Sequence, residues 1–179
     1  MKKIIRVATH LGSLGKLLEG QLQFTSAHYK MIGVGSEDTS AEGKRFAEEL
    51  SKKENARIIP VEMTREITPF KDLQALYNLY KLFKKEQPFI VHSHTPKAGT
   101  LSMIAAKMAK VPHRLHTVAG LPLVEATGNK RKILNYVEKI TYACATKVYP
   151  NSFGLKDIIL NNNFTSPKKM KVIGAGSSN

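Results

Sequence analysis

The sequence predicts an α/β fold, in which a mostly parallel sheet carries helices on both faces. Short β-prone apolar runs alternate with segments of helical periodicity along the 179 residues. The clearest helical segment follows the third strand and begins at Pro69, a residue that the first turn of a helix tolerates. Its apolar residues recur at three- and four-residue spacing: Leu73, Leu76, Tyr77, Tyr80 and Phe83. Strands that alternate with helices in this way form parallel sheets with crossover helices.

Seven strands are predicted from short runs of apolar and β-branched residues. They are assigned to residues 4–9, 29–34, 56–61, 89–93, 114–118, 147–149 and 171–173. No internal repeat interrupts the alternation, so we predict one Rossmann-like domain over residues 1–173. The segment 174–179 is rich in glycine and serine, which predicts the start of a linker to a further domain.

Composition indicates a globular protein of the cytoplasm. An apolar content of 42% is enough for a substantial core. No apolar run approaches the roughly 20 residues of a membrane-spanning helix, and the first residues lack the apolar stretch of a signal peptide. The single cysteine, Cys144, excludes an internal disulfide, and its place in an apolar helical series predicts a buried thiol without a catalytic role.

Positive charge is in large excess, with 28 basic against 14 acidic residues and a net charge of +14. Such a surface attracts phosphates, anionic lipid headgroups or nucleic acid, although solubility alone is the alternative explanation. Three consecutive cations stand at the start of a predicted helix: Lys130, Arg131 and Lys132. Because the helix dipole disfavours cations there, we expect an anion or a membrane surface beside them.

Residues 89–123 form a complete β-α-β unit with polar groups after both strands. The first strand leads into the segment His94–Gly99, and the second leads into Ala119–Pro122. In an open parallel sheet, ligands bind outside the carboxyl ends of the strands. These two loops are therefore the predicted location of the functional site.

Two histidines of this unit, His92 and His94, lie two residues apart and project from one face of an extended chain. They could share a metal, but no cysteine or carboxylate is near them in sequence, and Lys97 would disfavour a cation. We expect no metal site. His94 is predicted to hydrogen-bond a ligand or to brace the loop, whereas His116 is either a satisfied strand histidine or a site residue.

The loop after the first strand, His10–Gly15, joins a strand to a helix through two glycines. Exposed backbone amides at the start of a helix can receive a phosphate. The glycine spacing fits neither the dinucleotide-binding fingerprint nor the P-loop. The candidates for facing a phosphate are Gly12, Ser13, Leu14 and Gly15.

Five segments of the sequence carry a family resemblance: HLGSLGKLLEGQLQF, REITPFKDLQALYNLYKLFKKEQPFIVHSHTPKAG, AKVPHRLHTVAGLP, EKITYACATKVYPNS and KVIGAGSSN. Together they resemble the amino-terminal domain of family 4 retaining glycosyltransferases of the GT-B fold, and within it the bacterial capsular or cell-surface polysaccharide type. The resemblance covers nearly the whole chain. The run from Arg65 to Gly99 and the final segment are its most specific parts.

The resemblance implies an enzyme of two Rossmann-like domains, in which this chain receives the acceptor and a second domain holds most of the nucleotide-sugar donor. The first glycine segment, Gly12 to Gly15, would face the donor diphosphate across the cleft. The implied acceptor is an undecaprenyl-diphosphate-linked sugar at the inner face of the bacterial membrane. No metal or other cofactor is expected, and the isolated chain is expected to be inactive.

Residues after three predicted strands are the candidates for the acceptor side of the cleft: His94, Thr95, Lys97, Thr117, Ala119, Gly120, Asn151 and Ser152. Many relatives have a histidine against the donor sugar in the loop where this chain has Ala119. Either this subgroup uses backbone groups and a neighbour such as Glu125 in its place, or the enzyme is unusual. Glu125 is therefore the candidate catalytic residue.

Two other classes of function stay open from the sequence. The isoelectric point of about 9.9 suggests a nucleic-acid-binding module, but the aromatic residues cluster at helical spacing and not as an exposed stacking platform. A GT-B-type nucleotide-sugar epimerase would share the fold and the nucleotide sugar but would need no acceptor. The segment His94–Gly99 and the basic second half favour the transferase.

Overall fold

The computed structural model describes residues 1–37 and 40–174 and contains a six-stranded sheet. The strands are β1 Lys3–His10, β2 Lys30–Ser36, β3 Arg57–Pro60, β4 Ile90–Ser93, β5 His113–Val118 and β6 Lys147–Pro150. Their order is β3-β2-β1-β4-β5-β6, and every neighbouring pair is parallel. The predicted α/β fold is confirmed. The strand order reverses between β1 and β4, the switch point at which open sheets bind ligands.

Seven α-helices connect and cover the described strands: α1 Leu11–Leu17, α2 Gln21–Ser26, α3 Ala41–Lys53, α4 Pro69–Glu86, α5 Pro96–Met108, α6 Gly128–Cys144 and α7 Phe153–Asn161. Short 3-10 helices lie at Pro122–Val124 and Pro167–Lys169. Over the part of the chain that the structure describes, no helix combines the length and apolar character of a bilayer span.

The core has two parts, one on each face of the sheet, and β1 contributes to both through the alternation of its side chains. Ile4 and Ala8 pack with α1, α2 and α3, whereas Ile5 and Val7 pack with α4, α5 and α6. Arg6 alternates in β1 with Ile5 and Val7, so its side chain faces the same side as Ile4 and Ala8. Cys144 is buried at the end of α6, as predicted.

The predicted strand at residues 171–173 is wrong. The chain meets β6 there in a single isolated bridge between Val148 and Met170, and none of residues 171–173 is in a strand. Met170 is the apolar residue that packs into the core, whereas Ile173 is exposed. Met170 therefore anchors this segment in the core, and the backbone N–H of Lys171 still donates to the carbonyl of Val148 at 3.2 Å, but the pairing does not continue as a strand. The predicted linker at 174–179 lies, except for Gly174, outside the described residues.

The buried face of α4 differs from the predicted stripe. Ala75, Leu79 and Phe83 are buried, whereas Leu73 and Tyr77 are exposed. Apolar residues occupy more than half of the circumference of this helix, so their spacing identifies a helix but not the side that packs. Tertiary packing against α5 decides which residues are covered.

Candidate functional site

A cavity of about 260 Å³ opens on the face of the sheet that bears Arg6. Four of the predicted acceptor-side residues line it: His94, Thr117, Ala119 and Asn151. Four polar or aromatic residues that the sequence did not assign to a site also line it: Arg6, Gln21, His92 and Tyr149. The strands β1, β4, β5 and β6 thus bring together residues that are far apart in the sequence, beside the switch point of the sheet.

Arg6 and His94 form the centre of this cavity. The Nε of Arg6 donates a hydrogen bond to Nε2 of His94 at 2.9 Å, and Nη2 donates to Oε1 of Gln21 at 3.2 Å. Burial lowers the pKa of Arg6 to about 10. The pKa of His94 is lowered well below its usual range, by burial first and then by His92, Arg6 and His116. The His94 ring is therefore a neutral acceptor toward a charged guanidinium.

His92 lies beside His94, with ring centroids 4.2 Å apart, and its Nε2 is 2.8 Å from Oγ1 of Thr117. Burial lowers the pKa of His92 well below its usual range, with further lowering by Arg6 and His116. The ring centroid of Tyr149 lies 6.1 Å from that of His92. Neutral imidazoles, a hydroxyl and an aromatic face are groups that bind sugar hydroxyls and ring carbons.

His116 belongs to the opposite face of the sheet and takes the role of a satisfied strand histidine. Its Nδ1 is 2.8 Å from Oγ of Ser93. Burial lowers its pKa to about 4, although the contact with Ser93 opposes the shift. Gly99 of α5 packs directly on this ring, because a Cβ at Gly99 would stand 2.3 Å from Cε1. His116 therefore holds α5, and with it the loop after β4, close to the sheet.

Two of the predicted acceptor-side residues have internal partners instead of lining the cavity. Oγ1 of Thr95 accepts from the backbone N–H of Thr9 at 2.9 Å and lies 2.7 Å from Oγ1 of Thr9. Nζ of Lys97 lies 2.6 Å from Oδ2 of Asp72, which also accepts from the backbone N–H of Thr68. Thr95 ties the end of β1 to the start of α5, and Lys97 ties the start of α5 to that of α4.

Replacing Lys97 by methionine is expected to destabilise the chain by about 1–2 kcal/mol, because Asp72 would keep its charge without a cation. The two side chains are only 12% and 20% exposed, so solvent screens this pair weakly. Urea unfolding of Lys97→Met, Asp72→Asn and the double variant measures the coupling. Lys53→Met, which breaks an exposed pair with Glu19, is the control and should change little. Equal losses in both would contradict a structural role for the Lys97 pair.

The glycine segment is helical and not a loop, because α1 begins at Leu11. This corrects the prediction of a loop over His10–Gly15. The side chain of Leu14 is buried, and Gly15 packs on α3, where a Cβ would lie 3.1 Å from Cδ1 of Leu50. Gly12 faces open space, so Gly12 and Ser13 are the members of this segment whose backbone amides stay available at the start of the helix.

The loop after β5 reaches the cavity through Ala119. Gly120 faces open space, because a Cβ added there would have no atom within 4 Å. The 3-10 helix Pro122–Val124 then carries Glu125 to an exposed position that is not part of the cavity lining. Catalysis by Glu125 stays a prediction.

The chain beyond β6 holds the last two predicted acceptor-side residues. The backbone N–H of Asn151 donates to the carbonyl of Val118 at 3.0 Å, which fixes Asn151 at the cavity. Oγ of Ser152 accepts from the N–H of Leu155 at 3.2 Å and caps α7. Ser152 is therefore engaged in its own helix.

The three consecutive cations are exposed in the first turns of α6: Lys130, Arg131 and Lys132. Exposed apolar side chains lie beside them in sequence, namely Val124, Ile133 and Tyr136. Helices α4, α5 and α6 all start at the carboxyl edge of the parallel sheet, so this basic and apolar surface borders the same edge as the cavity.

The family model for "Glycosyl transferase 4-like" proteins matches residues 26–152. The chain is 39% identical over 173 residues to the capsular polysaccharide biosynthesis glycosyltransferase CapM of Staphylococcus aureus, covering 95% of this chain and 43% of that protein. It is 36% identical over 116 residues to the UDP-Gal:alpha-D-GlcNAc-diphosphoundecaprenol alpha-1,3-galactosyltransferase of Escherichia coli, covering 64% of this chain and 30% of that protein.

Solved structures show the same fold at low identity. The UDP-N-acetylglucosamine 2-epimerase of Rickettsia bellii superposes with a TM-score of 0.70 at 17% identity, over 98% of this chain and 45% of that one. The lipopolysaccharide outer core galactosyltransferase WaaB superposes with a TM-score of 0.63 at 14% identity, over 95% and 44%. The chain spans less than half the length of the relatives it matches. By its sequence match over residues 26–152, it belongs to the glycosyl transferase 4-like family.

Proposed function

We propose that this chain is the acceptor-binding half of a retaining glycosyltransferase of cell-surface polysaccharide synthesis. The complete enzyme would move a sugar from a nucleotide-sugar donor to a polyprenyl-diphosphate-linked or other glycan acceptor. The observation that carries the proposal is the polar cavity at the switch point of the sheet, in a chain whose curated relatives are named as glycosyltransferases. The acceptor class follows from the Escherichia coli relative, which is named as acting on a diphosphoundecaprenol-linked sugar.

The cavity offers the groups that such an acceptor needs. His92 and His94 are neutral and can exchange hydrogen bonds with sugar hydroxyls, and Tyr149 offers an aromatic face to the sugar ring. Catalysis would rest on positioning the acceptor hydroxyl and on stabilising the leaving diphosphate. The amides of Gly12 and Ser13 are candidates for part of that stabilisation. No metal is part of this proposal.

A nucleotide-sugar epimerase is the alternative, since several epimerases share the fold. Their identities of 20% or less support the fold alone, whereas the sequence relatives at 36% and 39% identity are both named as transferases. The exposed basic surface beside the cavity also suits an enzyme that approaches a lipid-linked acceptor, which an epimerase of soluble nucleotide sugars does not need.

The test is a transfer assay with the full-length protein, a panel of nucleotide sugars and a lipid-linked acceptor extract. Retention of the anomeric configuration in the product is expected. His94→Ala should lower kcat/KM by about tenfold or more, the equivalent of one lost hydrogen bond at 1.4 kcal/mol. His113→Ala is the matched control, because His113 is exposed at the amino end of β5. Interconversion of nucleotide sugars without any acceptor would instead establish an epimerase.

Weak, salt-sensitive binding to anionic vesicles is expected of this chain, as part of the proposed peripheral placement at the inner membrane face. The variant that replaces Lys130, Arg131 and Lys132 by glutamine should lose most of the binding, since each cation near the surface contributes about 1 kcal/mol. Vesicle co-sedimentation at low and high salt measures it. The control carries the same three replacements at Lys81, Lys84 and Lys85, in the half of α4 that points away from the cavity edge. Equal losses in both variants would leave net charge as the cause.

A further inference from the structure

Arg6 carries a positive charge into the cavity without an acidic partner. Its two hydrogen-bond partners, His94 and Gln21, are both neutral. Among the described residues that line this cavity, none is acidic. The described acids that form ion pairs lie elsewhere, at Glu19, Glu62, Asp72 and Glu86. The charge of Arg6 is therefore uncompensated within the described chain.

A half-buried arginine without an acidic partner is unusual in a folded protein. Cations are seldom taken out of water unless they are paired, and the side chains around this guanidinium offer only neutral partners. Desolvation also lowers the pKa of Arg6 to about 10. An anion bound in the cavity would supply the missing partner.

We propose that Arg6 anchors an anion subsite in which its guanidinium binds the phosphate or diphosphate group of a glycosyl ligand. This rests on the proposed function and adds the ligand group that the cavity recognises. The guanidinium fork matches the oxygens of a phosphate in a bidentate way, which an ammonium does not. At about 260 Å³ the cavity is smaller than the ~300–1,000 Å³ of drug-sized ligand sites, so it takes a small group such as one phosphorylated sugar.

Different side chains of the cavity would bind different groups of such a ligand. His92 and His94 are neutral, so Arg6 alone supplies the charge and the imidazoles supply hydrogen bonds. Gln21 already receives one guanidinium N–H and holds the fork from the α2 side. Thr117 and Asn151 stand on β5 and after β6, where they can reach hydroxyl groups of the attached sugar.

The test is isothermal titration of this chain with three probes: inorganic pyrophosphate, geranyl diphosphate and UDP. Arg6→Met should weaken the binding of the recognised probe at least tenfold, and Arg6→Lys should weaken it by a smaller factor. Lys107→Met, which removes one exposed charge from α5, should change the affinity less than twofold. The melting temperature of Arg6→Met should be unchanged or higher, because Arg6 has no acidic partner whose charge the variant would leave unpaired.

The probes separate the two sources of the phosphate. Preferential binding of geranyl diphosphate assigns the subsite to the lipid-linked acceptor, and preferential binding of UDP assigns it to the donor.

Two results would overturn the proposal. One is equal binding by wild type and both Arg6 variants. The other is a lower melting temperature of Arg6→Met without any loss of affinity, which would mean that Arg6 serves the fold. Because binding is measured without turnover, failure here is distinct from failure of the transferase assay.

Discussion

Lowering the pH from about 7.5 to about 5 is expected to lower the free energy of unfolding of this chain by about 2 kcal/mol through His116, and further through His92 and His94. The cause is three buried histidines that stay neutral in the folded state: His92, His94 and His116. Burial is the largest cause of the lowered pKa in each of them. Even the part due to His116 is a substantial share of the stability of many domains, about 5–15 kcal/mol.

The sign of this pH effect follows from how many protons the folded and unfolded states bind. An unfolded histidine has a pKa near 6.5, whereas that of His116 in the folded chain is about 4. Between these values the unfolded state binds protons that the folded state does not, so stability falls as the pH falls. For His116 the slope is about 1.4 kcal/mol per pH unit, or about 2 kcal/mol in total at pH 5. The lowered pKa values of His92 and His94 act in the same direction.

Carboxylates have little effect on the free energy of unfolding between about pH 7.5 and pH 5. Glu86 has a lowered pKa through hydrogen bonds from Arg57 and Lys3, so its stabilising effect is present above the unfolded value of 4.5 and is lost below the window. Glu138 has a pKa raised by burial, so lowering the pH toward 4.5 favours its neutral folded form and offsets part of the loss. One opposing carboxyl group does not cancel three histidines.

Urea unfolding at a series of pH values measures the slope. The His116→Asn variant should reduce the slope between about pH 6.5 and pH 5 by about 1 kcal/mol per pH unit, whatever its effect on stability at neutral pH. His28→Asn is the control, because His28 is exposed, and it should keep the wild-type slope. A slope that His116→Asn leaves unchanged would mean that this ring takes up a proton in the folded chain.

The sequence predicts the architecture well because its signals are local. Short windows of sequence are enough to predict six strands, the helices between them and the buried Cys144. The signals are the periodicity of apolar residues and the turn-forming residues that separate the periodic segments. The failure at residues 171–173 has a local cause as well, since the β-branched pair Val172 and Ile173 resembles a strand whether or not a partner pairs with it. Glycine disfavours helices, so the glycine segment predicts a loop, but packing of Leu14 and Gly15 holds it in a helix.

The site is only half predictable, because its contacts join distant parts of the chain. The parallel topology brings His94, Thr117, Ala119 and Asn151 to one cavity, and the rule of strand ends anticipates this. Arg6 and His94 are 88 residues apart in the sequence, and no local pattern predicts their contact. A signal was present all the same: an arginine inside an otherwise apolar strand is unusual and marks a position with a special partner.

Replacing Gly99 by alanine is expected to destabilise the chain by about 2–3 kcal/mol, although alanine is the better helix former. Gly99 is not at a positive φ value, so backbone strain is not the cause. The added Cβ would stand 2.3 Å from Cε1 and 2.9 Å from both ring nitrogens of His116. Such distances require α5 or the ring to move, and the ring is fully buried and held by Ser93.

Urea unfolding of Gly99→Ala measures this cost, with Gly154→Ala as the matched control. Gly154 lies in α7, where the nearest atom to an added Cβ is Oγ of Ser152 at 4.0 Å, so that variant should be neutral or slightly stabilising. Adding His116→Ser to Gly99→Ala should recover part of the loss, because the smaller side chain vacates the space. Additive losses in the double variant would mean that the ring is not what excludes the methyl group.

The same substitution connects the core to the site. α5 begins directly after His94 and Thr95, so a helix pushed away from β5 moves the residues that form the cavity wall. Gly99→Ala should therefore weaken ligand binding in the cavity even in the fraction of molecules that stays folded, whereas Gly154→Ala should not. A Gly99→Ala protein that binds its ligand with wild-type affinity would show that the loop after β4 is positioned by the Thr9–Thr95 and Asp72–Lys97 contacts alone.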